Sequence, residues 1–234
     1  MKKKSLLLGL TVVIIVASTA VGGTLAYFTS ADNAKNTFTV GSVEIDLYEH
    51  KVAKTTDENG LATWNYVYDG DTKIEVNENT YDGVYPSAVL PKDPTIRNTG
   101  KSPAYVRMKV TISNASAWKS KIKDGTDLST IFGGYDDMKC TRSSIAEDTS
   151  ADTITYVYNY TGILGVGHDT GALFTSVTIP TSFDNAEIIA IGGERGQFTM
   201  SITAEAIQSE GFNNNSTAAF AELDHSTTTS ATPK

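Results

Sequence analysis

Apolar and polar residues alternate with a period of two over much of this chain. The longest run is Ala104 to Ile112. Ala104, Val106, Met108, Val110 and Ile112 fall on one face, and Tyr105, Arg107, Lys109 and Thr111 on the other. This predicts a strand with one buried and one wet face, and Asn98-Thr99-Gly100 supplies the turn before it. Phe198 to Ile207 repeats the pattern through Phe198, Met200, Ile202, Ala204 and Ala206, and Thr153 to Tyr160 aligns Ile154, Tyr156, Tyr158 and Tyr160. Leu173, Thr175, Val177 and Ile179 alternate until Pro180 ends the run. Trp64, Tyr66 and Tyr68 alternate with polar residues, and Asp69-Gly70 turns the chain towards Lys73 to Val76, a hairpin signal. Nearer the start, Phe38 and Val40 share one phase while Val43, Ile45 and Leu47 take the other. Gly41-Ser42 between them predicts a bulge or bend.

Helical signals are few. Trp118, Ile122 and Leu128 predict a short helix and loop, Ser182 is placed to cap a short helix in 183–191, and a third is expected around Ala218 to Leu223. Pro86, Pro91 and Pro94 mark an edge strand or crossing loop. Residues 49–60 and 135–152 read as polar loops, and 213–234 as a polar, disordered tail. Some eight strands with turns between them predict an all-β chain, a jelly-roll-like antiparallel β-sandwich with short helical excursions. The sandwich is expected at 49–212, behind an N-terminal arm and first strand at 27–48.

Charge and composition change the picture most at the N-terminus. Lys2, Lys3 and Lys4 precede an uncharged run from Ser5 to Ala31 with an apolar centre from Leu6 to Val21. Thr24 and Ala26 provide the small side chains that signal peptidase needs, so residues 1–26 read as a signal peptide cut between Ala26 and Tyr27. The competing reading is a retained membrane anchor. Losing three lysines and no acid takes the formal charge from −8 to −11. Such a chain has no electrostatic reason to bind nucleic acid or an anionic membrane. Cys140 is the one cysteine, which excludes an intrachain disulfide. Lys139 and Arg142 beside it favour the thiolate, although a lone thiol tolerated in a loop is the expectation.

Candidate chemistry is thin. His50, His168 and His225 are far apart, and no His-Glu-x-x-His is present. Glu49-His50 reads as an exposed strand end. No Gly-x-Ser-x-Gly elbow occurs. Asp69-Gly-Asp71 and Asp136-Asp137 lack the spacing of a calcium loop and read as turn acids. Tyr66, Tyr68, Tyr156, Tyr158 and Tyr160 read as cross-strand aromatic pairs rather than a carbohydrate platform. No catalytic, metal or cofactor site is expected, and the chain is not expected to be an enzyme.

Four segments together resemble the TasA/camelysin family of exported proteins of Gram-positive bacteria. They are Gly23-Thr-Leu-Ala-Tyr-Phe-Thr29, Asn36-Thr-Phe-Thr-Val-Gly-Ser-Val-Glu-Ile-Asp-Leu47, Pro91 to Arg107, and Phe198 to Gln208. Residues 50–85 and 113–170 match only in general character. The resemblance implies a jelly-roll domain and maturation by a dedicated signal peptidase. For the TasA branch it implies secreted fibres of the biofilm matrix, in which one subunit's N-terminal segment completes the next subunit's sheet. The camelysin branch was classed as a surface metalloprotease. On this basis the chain is expected to be secreted, to partner copies of itself and an accessory matrix protein, and to use Tyr27, Phe28, Phe38 and Val40 as assembly anchors. A monomeric adhesin or accessory matrix protein, or a camelysin-type metalloprotease, is the alternative.

Overall fold

The computed structural model describes residues 29–33, 36–38, 43–56, 58, 60–122, 127–191 and 200–229. The N-terminal strands are β1 (Thr29–Asn33) and β2 (Asn36–Phe38). After them come β3 (Ile45–His50), β4 (Val52–Thr56), β5 (Ala62–Tyr66), β6 (Tyr68–Asp69), β7 (Thr72–Lys73) and β8 (Glu75–Val76). Next are β9 (Val89–Pro91), β10 (Thr95–Asn98), β11 (Ala104–Ser113), helix α1 (Ala115–Lys119) and a 3-10 turn at Leu128–Ile131. The rest comprises β12 (Phe132–Gly133), β13 (Cys140–Asp148), β14 (Thr153–Tyr160), β15 (Ser176–Thr178), α2 (Asn185–Ile191), β16 (Met200–Gln208) and α3 (Ser216–Thr229).

The described residues form an all-β structure of antiparallel sheets with few helices. A six-stranded sheet has the order β13-β14-β11-β16-β1-β2, and two three-stranded sheets have the orders β10-β3-β8 and β12-β15-β9. One apolar cluster joins them. It takes Val106, Met108, Val110 and Ile112 from β11, Ile154 and Tyr156 from β14, and Ile202 and Ala204 from β16. The smaller sheets contribute Ile45, Leu47, Leu90, Ile96 and Val177. Period-two strands bury alternate residues, so each of these elements has one face committed to this core.

The outer face of β11 is not wet throughout. Tyr105 and Arg107 are buried there, because α3 lies over them. Tyr105, Ile207, Phe212, Ala219, Phe220 and Leu223 make a second, smaller core. The helix expected around Ala218 to Leu223 is present and longer, Ser216–Thr229, anchored by Ala219, Phe220 and Leu223, so that part of the 213–234 tail is ordered rather than disordered. Its composition is polar, but three apolar residues on neighbouring turns are enough to dock it against a sheet.

Two stretches expected as loops contain strands. Val52–Thr56 pairs with β5, and Cys140–Asp148 pairs with β14. Both are exposed along almost their whole length, so neither shows the alternation that a half-buried strand writes into its sequence. The cap of α2 also differs from expectation. The Glu187 amide donates to Asp184 Oδ1 at 2.8 Å, and the Asp184 amide donates to Glu187 Oε2 at 3.0 Å, a reciprocal capping box. Ser182 instead donates its hydroxyl to the Lys121 carbonyl.

Candidate functional site

The side of the large sheet where the N-terminal strands pair with β16 is the first candidate. Thr29 pairs with Ile207, Ala31 with Glu205 and Asn33 with Thr203, a five-residue antiparallel ladder between β1 and β16. β2 folds back on β1, setting Phe38 opposite Ala31 and Asn36 opposite Asn33. On its other side β16 pairs with β11 from Met200 to Gln208. β1 therefore supplies the partner that β16 would otherwise lack. The strand on β16 is the polar Thr29–Asn33 rather than the segment of Phe38 and Val40. Thr24, Ala26, Tyr27, Phe28 and Val40 lie outside the described residues, as do Gly41 and Ser42. Val43 and Ile45, at the start of the residues whose burial is described, are both fully buried.

The second candidate is a cleft of about 590 Å³ where β3 and β10 face β9, β15 and the 169–176 loop. Asp93 lies at its base, only 4% exposed. The Asp93 carboxylate accepts from the His50 amide at 2.9 Å and meets His50 Nδ1 at 2.7 Å. Lys73 Nζ stands 3.8 Å from the same carboxylate and 3.7 Å from the centre of the Tyr66 ring. His50 meets the rings of Tyr48 and Tyr66 edge-on at 5.8 and 6.0 Å. Glu49, on the other side of β3, pairs with Lys92 and accepts from the Asn79 amide at 3.2 Å. His50 is therefore not an exposed strand end but the partner of a buried carboxylate.

Arg97 organises the rim. Its guanidinium donates to both Glu75 oxygens at 2.8 and 2.9 Å and to Asp169 Oδ1 at 2.9 Å, and it lies over the Tyr48 ring at 4.6 Å. The hydrogen bonds from Arg97 hold the Glu75 carboxyl below the usual carboxylate range. Burial, reinforced by Asp169, pushes the Tyr48 phenol up to about 12, and burial beside Asp93 raises that of Tyr66. Both hydroxyls stay protonated at any ordinary pH. Gly134 fixes the neighbouring loop: its φ is +74°, and a Cβ there would fall 2.2 Å from Thr175 Oγ1.

The remaining residues singled out by sequence are scattered. Tyr156 and Tyr158 are buried in the core, and the Tyr156 hydroxyl accepts from the Leu128 amide at 2.8 Å. Only Tyr66 of the five tyrosines lines the cleft, and Tyr48, Lys73, Asp93 and Asp169 join it without any local motif. His168 sits in its own turn, with Nδ1 3.0 Å from the Val166 carbonyl. Among the described residues no group of three or more His, Cys, Asp or Glu is arranged to hold a metal ion. No helix among them is long and apolar enough to cross a membrane. No family model, curated protein or solved structure matches the chain.

Proposed function

We propose that this is an exported structural protein that builds fibres at the cell surface or in the extracellular matrix, each copy giving its N-terminal strand to the sheet of the next. One observation carries the reading: Thr29–Asn33, from the arm that precedes the buried Val43, occupies the edge slot of β16. An edge strand without a partner leaves a row of N–H and C=O groups open to pairing with another chain. The same five residues of a second copy can make the same main-chain bonds in the same register. A lone chain fills its own slot, and in a fibre the neighbour fills it. The bonds lost and gained are alike, so subunit concentration and new contacts between subunits decide the balance. A tethered strand competes at an effective concentration on the order of mM. Because the contact is head-to-tail it need not close, and open filaments follow.

The finer assignments belong to the same proposal. They are a jelly-roll sandwich, removal of residues 1–26 by a dedicated signal peptidase, and a place in a biofilm matrix beside an accessory protein. They are supported by the resemblance to the TasA branch. Cutting after Ala26 frees the arm from the membrane, so assembly starts only after export. Tyr27, Phe28, Phe38 and Val40 then act as anchors. Four such side chains give on the order of 6–12 kcal/mol gross, at ~1.5–3 each, before ordering costs. Neither catalysis nor a cofactor enters this reading.

A cysteine pair tests it. Asn33 and Thr203 are register partners, and the native Cys140 is buried. Mature Asn33→Cys/Thr203→Cys protein oxidised as dilute monomer should lock the strand in its own slot and stay monomeric until reduced. The same protein assembled first and then oxidised should give a ladder of covalent multimers on a non-reducing gel. Fibres that yield only the intrachain bridge would rule strand donation out.

A further inference from the structure

We propose that the cleft beside His50 and Asp93 binds a neutral, hydroxyl-rich glycan. The inference stands apart from the assembly reading, since no residue of the N-terminal arm takes part. The volume of about 590 Å³ falls within the span of small-molecule sites, roughly 300–1,000 Å³. Its walls combine aromatic rings, Tyr48 and Tyr66, with polar groups fixed in advance. Asp93 is held by the His50 amide and imidazole, and Asp169 by Arg97. A carboxylate has about four lone-pair positions. Those left over on Asp169, whose side chain is 38% exposed, can accept hydroxyl protons at little ordering cost, because Arg97 already holds that carboxylate. Lys73 already covers one face of the Tyr66 ring and Arg97 one face of the Tyr48 ring, so the rings shape the walls of the cleft and the carboxylates suit the hydroxyls of a pyranose.

The charges exclude other ligands. Arg97 is already shared between Glu75 and Asp169, and Lys73 stands beside Asp93. No cation of the cleft is left without a carboxylate, and the whole chain carries −8. Phosphate, sulfate or a uronic acid would meet no uncompensated positive charge. β10 offers an extended peptide no free edge. β10 is paired with β3 on one side, and on the other Thr170 donates to the Ile96 carbonyl at 2.9 Å and Gly167 to that of Asn98 at 2.8 Å. β9 pairs with β15 on one side and is the outer strand of its sheet. Along β10 the polar groups left to a ligand are those of side chains, which suits hydroxyls better than peptide bonds.

Native gels cast with hydroxyethyl cellulose, dextran, laminarin or polygalacturonate test the proposal. The purified protein should be retarded by at least one of the three neutral polymers and not by polygalacturonate. Tyr66→Ala should weaken retardation at least tenfold, and Tyr68→Ala, on the exposed neighbouring strand, should leave it unchanged. Should Tyr66→Ala fail to fold, Ala172→Trp, which fills the cleft from its rim, should have the same effect. Migration unaltered in every neutral gel would overturn the proposal. So would retardation by polygalacturonate, or retardation that survives the cleft variants in folded protein.

Discussion

Arg107 on β11 and Asp224 on α3 form an ion pair across the outer face of the large sheet. Burying Tyr105 and Phe220 side by side brings the two together, with ring centres 6.2 Å apart. The hydrogen bond from Arg107 holds the Asp224 carboxyl below its usual range. A depressed folded value means that the stabilisation is complete above the unfolded value of about 3.9 and fades as pH falls through the folded one. We expect the amides of α3 to exchange faster below pH 4 than at pH 7, relative to those of β14. Asp224→Asn should show the faster exchange already at pH 7. Equal protection of α3 at both pH values would refute the clamp.

Arg107 has a second partner that raises the stakes. Its Nε lies 2.6 Å from Glu205 Oε2, and both side chains are less than a tenth exposed. Arg107→Ala leaves Glu205 with Lys109 as its remaining ion-pair partner, at 2.7 Å. Breaking a buried pair costs about 3–5 kcal/mol when a charge is left unpaired, and less here because Lys109 remains, whereas replacing both members with apolar residues is often close to neutral. Urea unfolding should therefore place Arg107→Leu/Glu205→Leu well above Arg107→Ala in stability. Similar losses in the two proteins would count against a buried pair.

The strands that face the core were legible because burial imposes a period of two. Met108, Val110, Ile154 and Ile202 announce their face in the sequence and sit within the core. Val52–Thr56 and Cys140–Asp148 have no buried face to announce, so their pairing comes from backbone bonds alone. The cleft was illegible for a different reason. His50 meets Asp93 across 43 residues and Arg97 meets Asp169 across 72, and no local spacing encodes such encounters. Helix α1 shows the same limit: its Ser116 amide donates at 2.9 Å to Asp152, a residue of the distant β13–β14 turn.

Tyr156 carries a polar duty inside the apolar core. It is wholly buried, and its hydroxyl is the acceptor for the buried Leu128 amide. Tyr156→Phe removes the acceptor without changing the packing of the ring. An orphaned buried N–H costs about 1–3 kcal/mol, and urea titration should find a loss of that size with an unchanged m-value. A loss below the error of the titration would mean that water replaces the hydroxyl.

Cys140 begins β13 and is buried. Burial, together with Asp136, pushes its thiol up to about 11, against the smaller opposing effect of Lys139. The basic neighbours therefore do not make it reactive, because burial outweighs them. At pH 8 a thiol reagent should label folded protein at least tenfold more slowly than protein in 8 M urea. Comparable rates would show the thiol to be accessible.

Assembly should respond to charge. Under the proposed cleavage after Ala26 the chain loses three lysines and carries −11, so copies brought head to tail in the proposed fibre would repel one another. The Debye length falls from about 30 Å at 0.01 M salt to about 8 Å at 0.15 M, so salt shortens the range of that repulsion. Lowering the pH towards the carboxylate range reduces the charge itself. Both changes should shorten the lag and lengthen the fibres seen by light scattering. A chain that starts at Gly41 lacks the proposed donor strand and should stay small under every condition while keeping its β-sheet circular dichroism. Phe38→Asp should likewise block growth in a folded subunit, because Phe38 is a proposed anchor and an unpaired carboxylate in its place would be costly. Fibres of normal length from either protein, or growth that slows as salt is added, would remove the N-terminal arm from the mechanism.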